Sequence, residues 1–332
     1  VTSPSPAGEP ARSTLAIIAG WGRFPFLVAA EARARGHRVV VLGIEGNADP
    51  ELASVVDRFH WIGPARLGHQ KRLLRAEGAT LAIMAGGVRK EGMYMRLRVL
   101  RYRPDLTFFK VWFRGLADKK DATLLGTYAR FLEEQGVRLM PITELCPELL
   151  GPRGPLAGRE PSEEEAQDLA FGFGVASELA RLDIGQSVLV KERAVIAVEA
   201  MEGTDAAIRR AGELCRRGGF SLVKVARPAQ DMRFDIPTIG PGTVEAISRA
   251  GGRAIGYEAG RTLVLDVDAT IARANALGVV ILGLDRADVK AIEERHRASV
   301  DRARDGLGSH GAIARAADAP APPEKREPEE KT

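Results

Sequence analysis

Leu15–Ala19 and Arg38–Ile44 are almost unbroken apolar runs, the second rich in Val and Leu. A helix is predicted between them, from about Phe24 to Arg35. Gly36 closes it, at a position where a left-handed backbone ends a helix. Continuous apolar strands separated by helices predict a parallel sheet covered on both faces. The same alternation places strands at Arg58–Ile62 and Thr80–Ala85 and helices at Arg66–Glu77 and Ala122–Gln135.

The pattern breaks over 141–161, where Pro141, Pro147, Pro152, Pro155 and Pro161 fall among Gly151, Gly154 and Gly158. Proline at this density interrupts regular structure. Ser162 followed by Glu165 then reads as a capping box, with Leu169, Phe173 and Ala176 at helical spacing behind it. A hairpin is predicted from Ser187–Val190 and Val195–Val198. Helices follow at Asp205–Arg217, Thr243–Ala250 and Ala269–Leu277, and strands at Phe220–Val225, Arg253–Tyr257, Thr262–Leu265 and Val279–Leu284. The fold class is α/β. The expected plan is a flexible leader (1–13), a Rossmann-like N-terminal parallel-sheet domain (14–140), a linker (141–161), a C-terminal mixed α/β domain carrying catalysis (162–298) and a disordered tail (299–332).

Of the 332 residues, 45% are hydrophobic and 28% charged, which excludes a chain disordered throughout. No apolar run approaches the roughly 20 residues of a membrane-spanning helix, and the N-terminus shows no secretory pattern. Lys+Arg (48) exceed Asp+Glu (44) only slightly, too weak a bias to argue for nucleic acid. Cys146 and Cys215 lack metal-ligand spacing and read as inert thiols in a reducing compartment. Nothing in the sequence decides between a monomer and a homodimer.

Candidate chemistry collects at strand ends. Gly20-Trp21-Gly22 opens the first helix as a dinucleotide-binding turn does, but Arg23-Phe24-Pro25 stands where the third glycine belongs. Contact of an anion with Gly20, Gly22 and Arg23, and a purely structural turn, both stay open. Gly86 and Gly87, followed by Arg89 and Lys90, could likewise meet phosphate. From Met93 to Arg114, cations alternate with aromatic residues, a composition suited to an anionic bilayer or an acyl chain, or to a core-facing helix with a wet side. The strongest candidate is Val223–Pro241, dense in charge and stiffened by Pro228 and Pro237. There Asp231 and Asp235 could hold a hard cation while Lys224, Arg227 and Arg233 neutralise phosphate. Upstream, Glu199, Glu202 and Asp205 add oxygen ligands around Thr204, a natural helix cap. No P-loop and no nucleophile elbow is present, and the histidines are scattered. Phosphate chemistry here would rest on carboxylates, cations and magnesium.

These motifs carry a resemblance. Ile17-Ile18-Ala19-Gly20-Trp21-Gly22-Arg23-Phe24-Pro25, Leu182-Asp183-Ile184-Gly185-Gln186-Ser187, Glu202-Gly203-Thr204-Asp205 and Glu258-Ala259-Gly260-Arg261-Thr262 are similar to the LpxI family of UDP-2,3-diacylglucosamine pyrophosphatases of lipid A biosynthesis. The most specific string is Gln230-Asp231-Met232-Arg233-Phe234-Asp235-Ile236-Pro237-Thr238-Ile239-Gly240. The resemblance runs from about Leu15 to Leu284 and departs at Arg227, where Lys is usual. It implies magnesium-dependent hydrolysis of UDP-2,3-diacylglucosamine to UMP and 2,3-diacylglucosamine 1-phosphate (lipid X). It also implies a two-domain cytoplasmic enzyme working at the inner-membrane face. The essential Asp of the string falls on Asp231. Glu199, Glu202, Asp205 and Asp235 become candidate magnesium ligands beside it. Gln186, Thr204, Lys224, Arg227, Gln230, Arg233, Thr238 and Gly240 join the glycine turns as the expected substrate-binding set. The competing reading is an NAD(P)-dependent oxidoreductase or nucleotide-sugar epimerase built on Gly20-x-Gly22. A non-catalytic nucleotide- or lipid-sensing module is the third.

Overall fold

The structure, a computed structural model, describes residues 13–88, 104–115, 121–228, 230–234 and 236–310. In the N-terminal half the chain runs β1 (Thr14–Ala19), α1 (Phe24–Ala34), β2 (Arg38–Ile44), β3 (Arg58–Ile62), α2 (Leu67–Ala76), β4 (Ala79–Ala85), α3 (Leu106–Gly115), α4 (Asp121–Glu134) and β5 (Arg138–Leu139). The strands form one parallel sheet in the order β3-β2-β1-β4-β5. Its central strands are apolar throughout because both faces are covered. Leu15, Ile17, Val39 and Val41 enter one buried cluster, and Ala16, Ile18, Val40 and Leu42 enter the other, as the two-residue period of a strand requires. The order reverses between β1 and β4, so the turns after these strands flank the switch point where such sheets take ligands.

Residues 141–161 are more ordered than a linker. They contain the short helix α5 (Ile142–Leu145) and an edge strand, β6 (Gly154–Ala157). Pro155 is tolerated there because an edge strand need not donate on both sides. The capping box at Ser162 opens α6 (Glu163–Arg181), with both reciprocal bonds to Glu165 present. Next come β7 (Ser187–Lys191), β8 (Ala194–Val198), α7 (Thr204–Leu214), β9 (Ser221–Lys224), β10 (Thr238–Ile239), α8 (Pro241–Ala250), β11 (Ala254–Glu258), β12 (Leu263–Val264), α9 (Val267–Leu277), β13 (Val280–Leu284) and α10 (Arg286–His310). The second sheet has the order β6-β13-β11-β9-β7-β8. Its β9, β11 and β13 are parallel, and β6 and β7 run antiparallel to their neighbours. Helix α10 carries the chain past Ser299 as far as His310.

Small contacts tie the halves together. Strands β10 and β12 pair in parallel beside an isolated bridge from Leu150 to Leu263. Within β12, Leu263 packs into the N-terminal cluster and its neighbour Val264 into the C-terminal one. This strand therefore lies between the two cores.

Candidate active site

The loop after β9 is held at its root by Glu258, the last residue of β11, and by Arg261 just beyond it. Glu258 accepts the Ala226 N–H through Oε2 at 2.8 Å and Arg261 Nη1 through Oε1 at 3.1 Å. Arg261 Nη2 in turn donates to the carbonyls of Arg227 (2.6 Å) and Pro228 (3.3 Å). The Arg227 guanidinium reaches Asp183, with Nε 2.8 Å from Oδ1. Gln230 ties the loop to itself. Its Oε1 accepts from the Arg227 N–H and from Gln186 Nε2, and its Nε2 donates to the Phe234 carbonyl at 3.2 Å.

Asp231 sits inside this frame. Arg233 Nε lies 3.0 Å from its Oδ1 and Nη2 lies 2.8 Å from its Oδ2, and the Arg233 backbone N–H also donates to Oδ1 at 3.0 Å. The guanidinium holds the Asp231 carboxyl below the usual carboxylate range, against a smaller opposing effect of burial. The free face of Arg233 turns to the N-terminal half, where Nη1 donates to Glu133 on α4 at 3.0 Å. Phe234 follows and is buried in the cluster of Ile18, Leu42 and Leu132. The loop thus starts on one sheet and ends in the core of the other. Thr238 Oγ1 closes its far end on the Ile236 carbonyl, and Gly240 caps α8.

A second group lies at the ends of β7, β8 and β9. Lys224 Nζ donates to Thr204 Oγ1 at 2.9 Å, and Thr204 Oγ1 donates to Glu199 Oε1 at 2.9 Å. The expected cap role of Thr204 is corrected here. Gly203, with φ +85°, is the N-cap of α7, so Thr204 is the first helical residue and its hydroxyl points to side chains instead.

The glycine turns clasp each other. Trp21 and Gly87 exchange both backbone hydrogen bonds, N to O at 2.8 and 3.1 Å. A Cβ on Gly20 would lie 2.2 Å from the Gly87 oxygen, and one on Gly86 would lie 2.7 Å from the Trp21 oxygen. Close backbone approach therefore accounts for both glycines. It also engages the Trp21 and Gly87 N–H groups that an anion would need. Gly22, at φ +102°, turns the chain toward Arg23, whose Nε pairs with Asp266 of the C-terminal half at 2.8 Å.

The expected magnesium ligands do not converge. Glu202 is engaged by Arg210 Nη1 at 2.8 Å and by the Ala200 N–H, Asp205 is exposed in the first turn of α7, and Asp235 lies outside the described residues. No group of three or more His, Cys, Asp or Glu that could hold a metal occurs among the described residues. Magnesium does not require one, because it is commonly held by one or two carboxylates together with substrate phosphates. Asp231 fits that use. It is kept ionised and its side chain is 33% exposed. Arg89, Lys90 and the Met93–Arg103 part of the basic–aromatic segment also lie outside the described residues. The residues unforeseen from sequence are Glu133 and Asp266, along with roles for Asp183, Glu258 and Arg261. All act by pairing across long sequence distances.

An ionised carboxylate clamped by the Arg233 guanidinium, on a cation-bearing loop shared by two α/β units, fits a two-domain α/β enzyme. Comparison with known proteins narrows the class. A family model described as the LpxI N-terminal domain matches residues 14–149, and one described as the LpxI C-terminal domain matches 152–282. The chain belongs to the LpxI family. It is 37% identical over 290 residues to the UDP-2,3-diacylglucosamine pyrophosphatase LpxI of Caulobacter vibrioides, covering 82% of this chain and 97% of that protein. Likeness to solved structures is slight. A UDP-glucose-4-epimerase from Stenotrophomonas maltophila aligns with a TM-score of 0.23 and 14% identity over 38% of this chain and 34% of that one. A biotin carboxylase domain from Hydrogenobacter thermophilus aligns at 0.24 and 13%, over 61% and 41%. Neither carries an argument about this protein.

Proposed function

We propose that this chain hydrolyses the diphosphate of UDP-2,3-diacylglucosamine, giving UMP and 2,3-diacylglucosamine 1-phosphate. The observation that supports this most is Asp231, held ionised by Arg233 on the loop that follows Lys224 and Arg227, in a chain of the LpxI family. In this reading Lys224, Arg227 and Arg233 bind the diphosphate, and their charge counts for more as negative charge builds on the bridging oxygen. Arg233 then exchanges part of its contact with Asp231 for a phosphate oxygen. Asp231 orients a water by accepting its hydrogen bond and takes up a proton as the water oxygen bonds to phosphorus. The P–O–P bridge breaks with its electron pair on the departing uridylate. Asp231 would hold magnesium together with the diphosphate, and the bound ion supplies charge neutralisation and a more acidic water.

The acylated substrate places the reaction at the cytoplasmic membrane face. Helix α3 supports a peripheral contact, since Leu106 and Phe113 are 80% and 82% exposed and Phe109 stacks on Phe113 beside Lys110. No helix among the described residues is long and apolar enough to cross a membrane.

Hydrolysis in ¹⁸O-labelled water tests the reading. The label is expected in the sugar 1-phosphate, from attack on the sugar-side phosphorus, with unlabelled UMP. No UMP from the purified chain given magnesium and the lipid would overturn it.

A further inference from the structure

We infer that Glu199 and Thr204 are positioning residues that fix the ammonium of Lys224 for the diphosphate. The ligand chemistry rests on the hydrolase reading above, while the roles rest on the geometry of the relay. Ser187 lies opposite Lys224 in the β7–β9 register, and the Ser187 carbonyl accepts the Glu199 N–H at 2.9 Å. Leu189, Ala197 and Leu222, each two residues from Ser187, Glu199 and Lys224, share one buried cluster. The two-residue period therefore puts Ser187, Glu199 and Lys224 on that same face. Helix α7 covers it through Ala207, Ile208 and Ala211, which brings Thr204 over the strand ends.

The direction of the relay is forced. An ammonium cannot accept, so a Thr204 lone pair must face Lys224 and the single Thr204 proton goes to Glu199 Oε1. Lys224 has three N–H donors, and Thr204 takes one, leaving two for phosphate oxygens. A direct Glu199–Lys224 pair would set the carboxylate in competition with phosphate. The neutral hydroxyl between them tethers the lysine without neutralising it. Glu199 Oε2 is buried with no hydrogen-bond partner among the described residues, a desolvation cost that a carboxylate serving only to cap a helix would not carry.

The test uses the full chain with UDP as probe, titrated by calorimetry, alongside steady-state hydrolysis. Thr204→Val is expected to weaken UDP binding about tenfold and to lower kcat/KM by at least as much, because the Lys224 charge it positions counts for more as negative charge builds. Thr204→Ser should recover most of the loss, because it restores the hydroxyl without the methyl. Glu199→Ala should move UDP affinity in the same direction as Thr204→Val. Wild-type UDP affinity in Thr204→Val, or equal defects in the Val and Ser variants, would overturn the relay. If the wild-type chain binds UDP but releases no UMP from the lipid, the hydrolase reading fails, while the calorimetric comparison still decides the relay.

Discussion

Phe234 and Ile236 stand two residues apart yet enter different clusters of the N-terminal half, Phe234 with Ile18 and Leu42, and Ile236 with Leu15 and Val41. The loop bearing Asp231 thus grips both faces of a sheet to which it does not belong. Phe234→Ala is expected to lower stability by about 3 kcal/mol, the lower end for losing a buried aromatic ring. It should also lower kcat at temperatures where the variant is fully folded. Denaturant melts run beside kinetics check this, and a stability loss with unchanged kcat would show that the anchor does not place Asp231.

Asp231→Asn keeps the shape of the side chain and removes its charge. Loss of a positioned base lowers kcat by roughly 10²–10⁴-fold. UDP binding should hold within a few fold, since the cations that bind phosphate remain. Full turnover in this variant would reassign the base.

Arg233 depresses the Asp231 carboxyl, so the ionised form persists to lower pH than an ordinary aspartate, whose pKa is about 3.9. The rate is therefore expected to stay level on the acid side down through that range. In Arg233→Gln the carboxyl returns toward its ordinary value and the acid limb moves to higher pH. Solvent screening keeps the move modest, because Asp231 is partly exposed. Loss of a charge-assisted phosphate bond adds about 1.5–3 kcal/mol to the barrier measured by kcat/KM. An acid limb that does not move would separate Arg233 from the ionisation of Asp231.

Glu165 offers a stability test away from the site. Burial pushes its carboxyl up, but the Arg159 guanidinium and the Ser162 N–H outweigh burial and leave it lowered. A lowered carboxyl stabilises fully above its unfolded pKa, about 4.3, and that contribution fades as pH falls through the folded value. Glu165→Ala should cost about 1–2 kcal/mol at neutral pH, with the gap to wild type closing in acid. Melting curves from pH 7 to pH 3 would show it.

Phe113→Asp should weaken binding of the chain to vesicles of phosphatidylglycerol and phosphatidylethanolamine without changing its melting temperature, because the ring is exposed. Unchanged sedimentation with vesicles would remove α3 from the membrane contact.

The central strands were legible because covered parallel strands are apolar at every position. Arg38–Ile44 matches the observed β2 residue for residue; the edge strand β3 also matches at Arg58–Ile62, although Arg58 and His60 make it less apolar. Strands β5 and β10, of two residues each, leave no such period to read. Strand β6 lay hidden among prolines, and α10 has so polar a surface that Ile292 is its fully buried apolar side chain among the described residues. In the site, the residue types of the Asp231 loop announced phosphate chemistry. Their partners did not, because Arg233 meets Glu133 across 100 residues and Arg261 meets Arg227 across 34. Such pairings are set by topology, which local spacing does not encode.

The shared loop also governs how relatives could recombine. A chimera cut at the proline-rich joint near residue 150 would inherit Glu133 and the Phe234 socket from one parent, and Arg233 with Phe234 from the other. Matched pairs at those places, more than the junction itself, would decide whether such a hybrid works.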